Sequence, residues 1–488
     1  MADHYKTLGL PYDATAEEIR VAYFELARKY HPDVTQDPIF TDLFLKIQEA
    51  YETLSNTARR LEYDMTIPES LRKPPDVSIN ARFSRNVIPL LNEQQLMYVL
   101  VDLICTADLE PNQLPPFHLC LVIDRSTSMQ GQRMDMVKTS ASQLLRQFRQ
   151  QDLISVVSFS DRADLIVPPT RLTDIAREDA RISMLQAGGG TEIYQGLMLG
   201  VEQLRSVDPR YSRHLLLLTD GHTYGDDDAC LNLTAQLVDD GITVNCLGIG
   251  HEWNDALLDR IASISGGTAI FVSSPADLNK FIEQKLAQLS TTYARNIQFE
   301  FISDADVKLR YAFRLSPEAA LVESKSPMQL GSLQYRKSMS FLLEFTLPPL
   351  DASTQVLRLA QGQIKMEIPS LRSARARVMI DLSRPVSVNP ERESPPPVIV
   401  EAMAKLTLYR MQDRVRKEVT DGQIDKATKH LHYLATHLLS QGDRELAHTV
   451  LIEAEHIQQS RRFSKEGDKR IKYGTRALLL PPGSEQKS

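Results

Sequence analysis

Five continuous apolar runs in the middle of the chain limit its fold more than any other feature. They are HLCLVID, which ends at Asp124, LISVVSFS, HLLLLTD, which ends at Asp220, ITVNCLGIG and TAIFV. Unbroken runs of this length are the mark of strands buried on both faces of a parallel sheet. Helical stretches lie between them, among them Met134 to Phe148 and Ala256 to Ser263. Strand–helix–strand repetition from Phe117 to Ala294 predicts a doubly wound α/β domain, assigned to residues 116–294.

Ligands of such a sheet bind outside the carboxyl ends of its strands. Asp124 ends the first run, with Ser126 and Ser128 in the loop that follows, and Asp220 ends the third. Thr191 follows the Gly188-Gly189-Gly190 loop that leads into a helix. Hard cations such as Mg²⁺ take oxygen ligands in near-octahedral geometry at about 2.0–2.1 Å and keep several waters. Three hydroxyls and two carboxylates leave room in that shell for an outside ligand. The GGGT loop is not a phosphate-binding loop, because no Gly-Lys-Ser/Thr follows it. His222 and His251 fall on loops of the same face and read as ordinary polar residues at its rim. No base–nucleophile set or second carboxylate pair stands beside the five oxygens, so the expectation is binding and not catalysis.

The DRSTS segment, the loop threonine and the TDG aspartate resemble the metal-ion-dependent adhesion site of von Willebrand factor A domains, in all five positions and in order. The resemblance implies a metal site for Mg²⁺, with Mn²⁺ or Ca²⁺ as alternatives, formed by Asp124, Ser126, Ser128, Thr191 and Asp220. It also implies that a partner protein supplies an Asp or Glu as the final ligand. With two formal negative charges beside it, the ion stays electrophilic enough to attract that carboxylate.

Residues 1–66 read as short helices. Thr15 and Glu18 make a capping box, Ile19, Ala22, Tyr23, Leu26 and Tyr30 recur at helical spacing, and Pro32 forbids continuation. A second helix carries Phe44, Ile47, Tyr51 and Leu54 on one face, which makes an antiparallel hairpin with His31, Pro32 and Asp33 in its loop. DHYKTLGL, AYFELARKYHPD, IQEAYETLS and RRLEYD resemble the J-domain of DnaJ-type co-chaperones along the whole segment. That resemblance implies that His31, Pro32 and Asp33 engage a DnaK-type chaperone and trigger its ATP hydrolysis, with Arg20, Arg28 and Lys29 on the basic docking face. Phe24 and Glu25 stand where the family usually has basic residues, and Glu17 and Glu18 dilute the field further, so weaker docking is expected.

The remaining segments flank the α/β unit. Residues 67–115 read as a proline-stiffened linker and two alternating strands, and residues 295–385 as further strands, together a β-sandwich into which the α/β unit is inserted or which flanks it. After Ser394-Pro395-Pro396-Pro397, residues 393–463 predict a three-helix bundle with stops at Asp421-Gly422 and Gln441-Gly442. His430 and His437 share a face of that bundle and read as ordinary polar histidines. Residues 464–488 read as a flexible tail, disordered alone or docked as a peptide, with Thr475 as a modification or docking signal.

A net charge of -7 argues against general nucleic-acid or anionic-membrane binding. Cys105, Cys120, Cys230 and Cys246 fall in no CxxC spacing, and no apolar run approaches a membrane span, so a cytoplasmic protein is expected. The function expected is a J-domain adaptor that grips a partner through the metal and brings a DnaK-type chaperone to it. The alternative is a non-chaperone scaffold: bacterial von Willebrand A proteins often work beside AAA+ ATPases, and the J-domain would then serve for docking only.

Overall fold

The computed structural model describes residues 3–12, 14–31, 38–67, 76–109, 114–223, 225–370, 375–391, 393–440 and 442–477. The chain begins with helices α1 (His4–Thr7), α2 (Ala16–Tyr30), α3 (Pro38–Ser55) and α4 (Thr57–Thr66). The capping box expected at Thr15 and Glu18 starts α2, with Thr15 Oγ1 accepting from the Glu18 amide and Glu18 reaching back to the Thr15 amide. Tyr5, Leu8, Ile19, Ile47, Ala50 and Leu54 form the small core of this part. Behind it the Tyr5 hydroxyl donates to Asp64 (2.8 Å) and accepts from Arg60 Nε (2.8 Å), and burial pushes the tyrosine up to about 12.

Strands β1 (Val77–Phe83), β2 (Ile88–Pro89) and β3 (Gln95–Cys105) come next. The α/β unit follows as β4 (Phe117–Asp124), α5 (Gln132–Leu145), β5 (Leu153–Phe159), β6 (Ala163–Thr170), α6 (Ile175–Ser183), α7 (Ile193–Arg205), β7 (Ser212–Thr219), α8 (Asp227–Leu237), β8 (Ile242–Ile249), α9 (Asp255–Ser265), β9 (Ala269–Val272) and α10 (Pro275–Ser290). Its sheet runs β6-β5-β4-β7-β8-β9, parallel throughout except for the edge strand β6, which is antiparallel to β5. Helices cover both faces, so β4 and β5 are buried at every residue. That burial is why their sequences read as unbroken apolar runs.

The chain then forms β10 (Thr292–Ile302), β11 (Lys308–Ser316), β12 (Ala320–Val322), β13 (Met328–Gln334), β14 (Ser338–Leu347), β15 (Val356–Glu367) and β16 (Arg375–Ser387). One sheet is β1-β3-β14-β11-β12 and the other β13-β10-β15-β16-β2. β3 pairs along its length with β14, so strands from before the α/β unit share a sheet with strands from after it. The α/β unit is therefore inserted into a β-sandwich, whose core joins Val99, Val101 and Leu103 to Phe299, Phe341 and Ile364.

Helices α11 (Pro397–Thr420), α12 (Ile424–Ser440), α13 (Arg444–Ser460) and α14 (Lys465–Ala477) end the described chain. Pro397 occupies the first turn of α11, where its missing N–H costs nothing. The first half of α11 lays Ile399, Ala402 and Leu406 on Leu100, Phe313 and Leu342 of the sandwich, and its second half joins the bundle through Leu408 and Val415. The fourth helix corrects the expected flexible tail. Residues 465–477 are helical because α14 has a partner: Ile471 enters the bundle core, and its basic residues reach aspartates of α9. Thr475 is wholly buried, its hydroxyl donating to the Ile471 carbonyl (2.8 Å), so it offers no accessible modification site. Residues 478–488 lie outside the described residues. His430 pairs with Glu418 (2.7 Å) and His437 is exposed, as ordinary polar histidines are. The four cysteines are free and buried. No helix among the described residues is long and apolar enough to cross a membrane.

Candidate functional site

Adjacent parallel strands β4 and β7 carry Asp124 and the Thr219-Asp220 pair to the same carboxyl end of the sheet. Asp124 is fully buried and held at both oxygens, one accepting from the Ser126 amide (2.8 Å) and the other from Thr219 Oγ1 (2.6 Å). Burial raises its pKa and the charge of Asp220 adds to the rise, while the two hydrogen bonds oppose it. A carboxylate in that position gains from a cation beside it. Thr219 is a second support that sequence reading missed; its only signal was its place directly before the strand-ending aspartate.

Ser126 caps the start of a single turn, Thr127–Met129, and Ser128 lies within it, with their hydroxyl oxygens 3.0 Å apart. Ser128 Oγ donates in turn to Asp220 Oδ1 (2.7 Å). Ser126, Thr191 and Asp220 are buried, whereas Ser128 is exposed, so the group opens to solvent at Ser128. Thr191 completes the set from the other side. A Cβ placed on Gly221 would stand 3.4 Å from Thr191 Oγ1 and 4.0 Å from Ser128 Oγ, which puts the three segments around one small space.

The glycine loop is fixed by hydrogen bonds to its neighbours. Thr127 donates its amide and its hydroxyl to the Gly189 carbonyl, both at 3.0 Å, and Asp161 accepts from the Gly190 amide (2.8 Å). Gly189 has φ +89°, and a side chain there would also meet Asp161 Oδ2 at 2.7 Å, so only glycine fits. After Thr191, the start of α7 is capped from a distance: Thr223 Oγ1 accepts from the Ile193 amide (3.2 Å) and Asp226 from the Tyr194 amide (2.8 Å). Loops after β4 and β7 thus hold the Thr191 loop in place.

The donor geometry fits a hard cation. Neighbouring corners of an octahedron with metal–oxygen bonds of about 2.0–2.1 Å are about 2.9 Å apart. The Ser126–Ser128 and Ser128–Asp220 oxygen separations of 3.0 and 2.7 Å bracket that value. Among the described residues no group of three or more His, Cys, Asp or Glu side chains is placed to hold a metal, so soft or nitrogen-loving ions have no comparable site. His222 is exposed and His251 half-buried on the loops after β7 and β8, at the rim.

On the N-terminal helices, Arg20, Arg28 and Lys29 are all exposed along α2. Arg20 pairs with Glu17 (2.7 Å), and Lys29 Nζ lies over the Tyr30 ring (5.1 Å). His31 is exposed at the end of α2 with its ring edge-on to Phe44. Pro32 and Asp33 lie outside the described residues. Phe24, the departure noted above, is 60% exposed on the same helix.

Comparison with known proteins divides the chain in the same way. The DnaJ domain family model matches residues 3–64, the von Willebrand factor type A domain model residues 118–284, and the Sll0103-like C-terminal alpha-helical domain model residues 397–481. The uncharacterized protein sll0103 of Synechocystis is 26% identical over 381 residues, covering 76% of this chain and 90% of that protein. Chaperone protein DnaJ of Hydrogenobacter thermophilus is 52% identical over 62 residues, 13% of this chain and 17% of that protein. A solved structure, a von Willebrand factor type A protein from Catenulispora acidiphila, superposes with a TM-score of 0.65 at 15% identity, covering 83% of this chain and 97% of that one. It shares the fold. None of the three matched models describes a catalytic family, and a DnaJ domain implies a DnaK-type chaperone as partner. The chain thus joins a DnaJ domain to a von Willebrand factor type A domain, followed by a C-terminal helical domain that is similar to that of the Sll0103-like proteins.

Proposed function

We propose that this protein is a cytoplasmic J-domain adaptor. It binds a partner protein through a divalent cation held by Asp124, Ser126, Ser128, Thr191 and Asp220, and recruits a DnaK-type chaperone through His31, Pro32, Asp33 and the basic residues Arg20, Arg28 and Lys29. Mg²⁺ is the ion expected from an all-oxygen set with neutral hydroxyls, ahead of Mn²⁺ or Ca²⁺. Bound there, the ion supplies a Lewis-acidic position for one carboxylate oxygen of the partner. The chain's own residues orient that position: Thr219 and the Ser126 amide fix Asp124, and Asp161 and Thr127 fix the loop before Thr191.

The observation that carries the reading is the chain of oxygens Ser126–Ser128–Asp220, spaced as octahedral neighbours and open to solvent only at Ser128. Calorimetric titration with Mg²⁺ tests it: wild type binds, and Asp124→Ala loses binding while keeping its unfolding transition. For the chaperone half, single-turnover ATP hydrolysis by a DnaK-type chaperone should accelerate with wild type and not with His31→Gln. Absence of either effect would remove its half of the reading.

A second reading is favoured by one feature. Phe24 is exposed where the family has a basic residue, and the acidic Glu25 follows it. Under this reading the J-domain only docks, and the adhesion site serves a scaffold beside an AAA+ ATPase. Affinity capture that recovers an AAA+ ATPase and no DnaK-type chaperone would favour it.

A further inference from the structure

Arg133 stands beside the proposed ion position, and neither the sequence motif nor the domain comparisons give it a role. It is the second residue of α5, directly after the loop that carries Ser126 and Ser128. Its Nη1 donates to Asp220 Oδ2 and to the Ser128 carbonyl (3.2 Å). The other side of the guanidinium rests on Gly250, after β8, where φ is +67° and a Cβ would come within 3.2 Å of Nη2. Asp220 has no exposed side-chain surface, whereas Arg133 keeps 30% of its own. The guanidinium is thus wedged between a buried carboxylate and a bare backbone, with one edge facing the solvent from which a partner arrives.

This arrangement sets two cations against each other. A divalent ion held by Ser128 and Asp220 would stand beside a fixed positive charge that already holds Asp220 Oδ2. Like charges so placed, in a partly desolvated site, weaken each other's binding. The same guanidinium presents a planar fork suited to a carboxylate. We propose that Arg133 is a resident counter-ion of Asp220 that antagonises the divalent cation until a partner carboxylate arrives, whereupon it pairs with that carboxylate's second oxygen. Metal binding and ligand binding then reinforce each other, because the ligand neutralises the charge that opposed the metal, and linkage makes the reinforcement reciprocal. This rests on the ion site proposed above and assigns to it a residue that selects for acidic ligands.

The test is calorimetric titration of the full-length chain with Mg²⁺ alone and with Mg²⁺ plus acetate, the simplest carboxylate probe. Arg133→Gln keeps bulk and hydrogen-bonding without charge, and Arg133→Ala removes the side chain. Both should bind Mg²⁺ alone about tenfold more tightly than wild type. Acetate should tighten Mg²⁺ binding in wild type by a larger factor than in either variant. Equal Mg²⁺ affinity in wild type and Arg133→Gln overturns the antagonism and leaves the ion site standing. Equal acetate effects overturn the ligand-pairing half. Failure of wild type and both variants to bind Mg²⁺ overturns the ion site and this proposal together, whereas binding by the variants alone supports the antagonism in its strongest form.

Discussion

The two ends of the chain are attached to the central body by different physics. The J-domain meets β16 through two arginines. Arg375 is bidentate to Glu18 at 2.7 and 3.0 Å, and Arg377 reaches buried Asp64 at 2.5 Å with its guanidinium over the Tyr5 ring. The C-terminal helices instead bury apolar surface. Leu406 and Ile399 of α11 sit on Leu100 and Phe313, and Tyr473 of α14 packs against Trp253. Around that seam Arg476 is bidentate to Asp259 (2.7 and 2.9 Å), Lys472 pairs with Asp255 and Asp259, and Arg416 bridges Asp255 and Asp468. The half-exposed Arg375–Glu18 pair is screened by salt, whereas the Arg377–Asp64 pair is buried and much less screened, and the apolar seam is part of the folded core. The C-terminal module, with its apolar seam, thus has the more permanent mount, and the J-domain, held by two polar contacts, the more releasable one.

The largest effect should come from the permanent side. Leu406→Ala removes a fully buried side chain and should cost about 2–5 kcal/mol in urea unfolding of the body. A loss below about 1 kcal/mol would mean that the helix is not core, and the contrast would collapse. On the releasable side, Arg377→Ala leaves Asp64 buried with Tyr5 and Arg60 as its remaining partners, at a cost of about 1–3 kcal/mol. That loss should appear in the J-domain's own transition and leave the body's midpoint unchanged.

Acid separates the two mounts further. His118 and His214, on adjacent strands of the α/β sheet, are buried, each with an unpartnered Nδ1. Burial pushes them down to about 4 and about 3, with the charges of Arg213, Lys285 and Arg295 adding to the shift. Their folded pKa values lie below the unfolded value near 6.5, so the unfolded chain binds more protons in between and stability falls as pH drops through that window. Between pH 7.5 and 5 the body should lose about 1–2 kcal/mol per histidine, a loss absent from His118→Asn/His214→Asn. Glu18, held down to about 2 chiefly by Arg375, stays charged throughout, and its contribution is lost only as the pH falls from about 4.5 towards 2. The smallest effect is Arg375→Ala. Both partners are half-exposed, so about 0.2–1 kcal/mol is expected. The mutation should nonetheless widen the spin-label distance distribution between α2 and β16, as should 0.5 M salt in wild type, which shortens the Debye length below the ~8 Å of physiological ionic strength.

The elements that carry the site were legible because their causes are local. Strands buried on both faces must be apolar throughout, so β4, β5, β7 and β8 announced themselves, and Asp124 and Asp220 stood out as the first charges after such runs. The capping box of α2 was equally local. What escaped depends on partners distant in sequence. β6, ADLIVPPT, carries two prolines and half-exposed residues because it is an edge strand, so it does not read as part of the sheet. α14 has few apolar residues of its own, and its stability comes from aspartates over 200 positions away, as in Lys472 with Asp255. Arg133 and Arg377 looked like ordinary surface residues of a helix and a strand, and only the fold brings them to Asp220 and Asp64.

In the proposed function one chain joins a cation-dependent socket to a chaperone-recruiting helix, each working through its own residues. Affinity capture with the full-length chain, with quantification by mass spectrometry, tests it most directly when wild type, wild type with EDTA, Asp124→Ala, Ser128→Ala and His31→Gln are run side by side. The expected result is a partner lost with EDTA, in Asp124→Ala and in Ser128→Ala, with the DnaK-type chaperone retained in both of these variants, and the reverse in His31→Gln. The same set of captured proteins under all five conditions would contradict it.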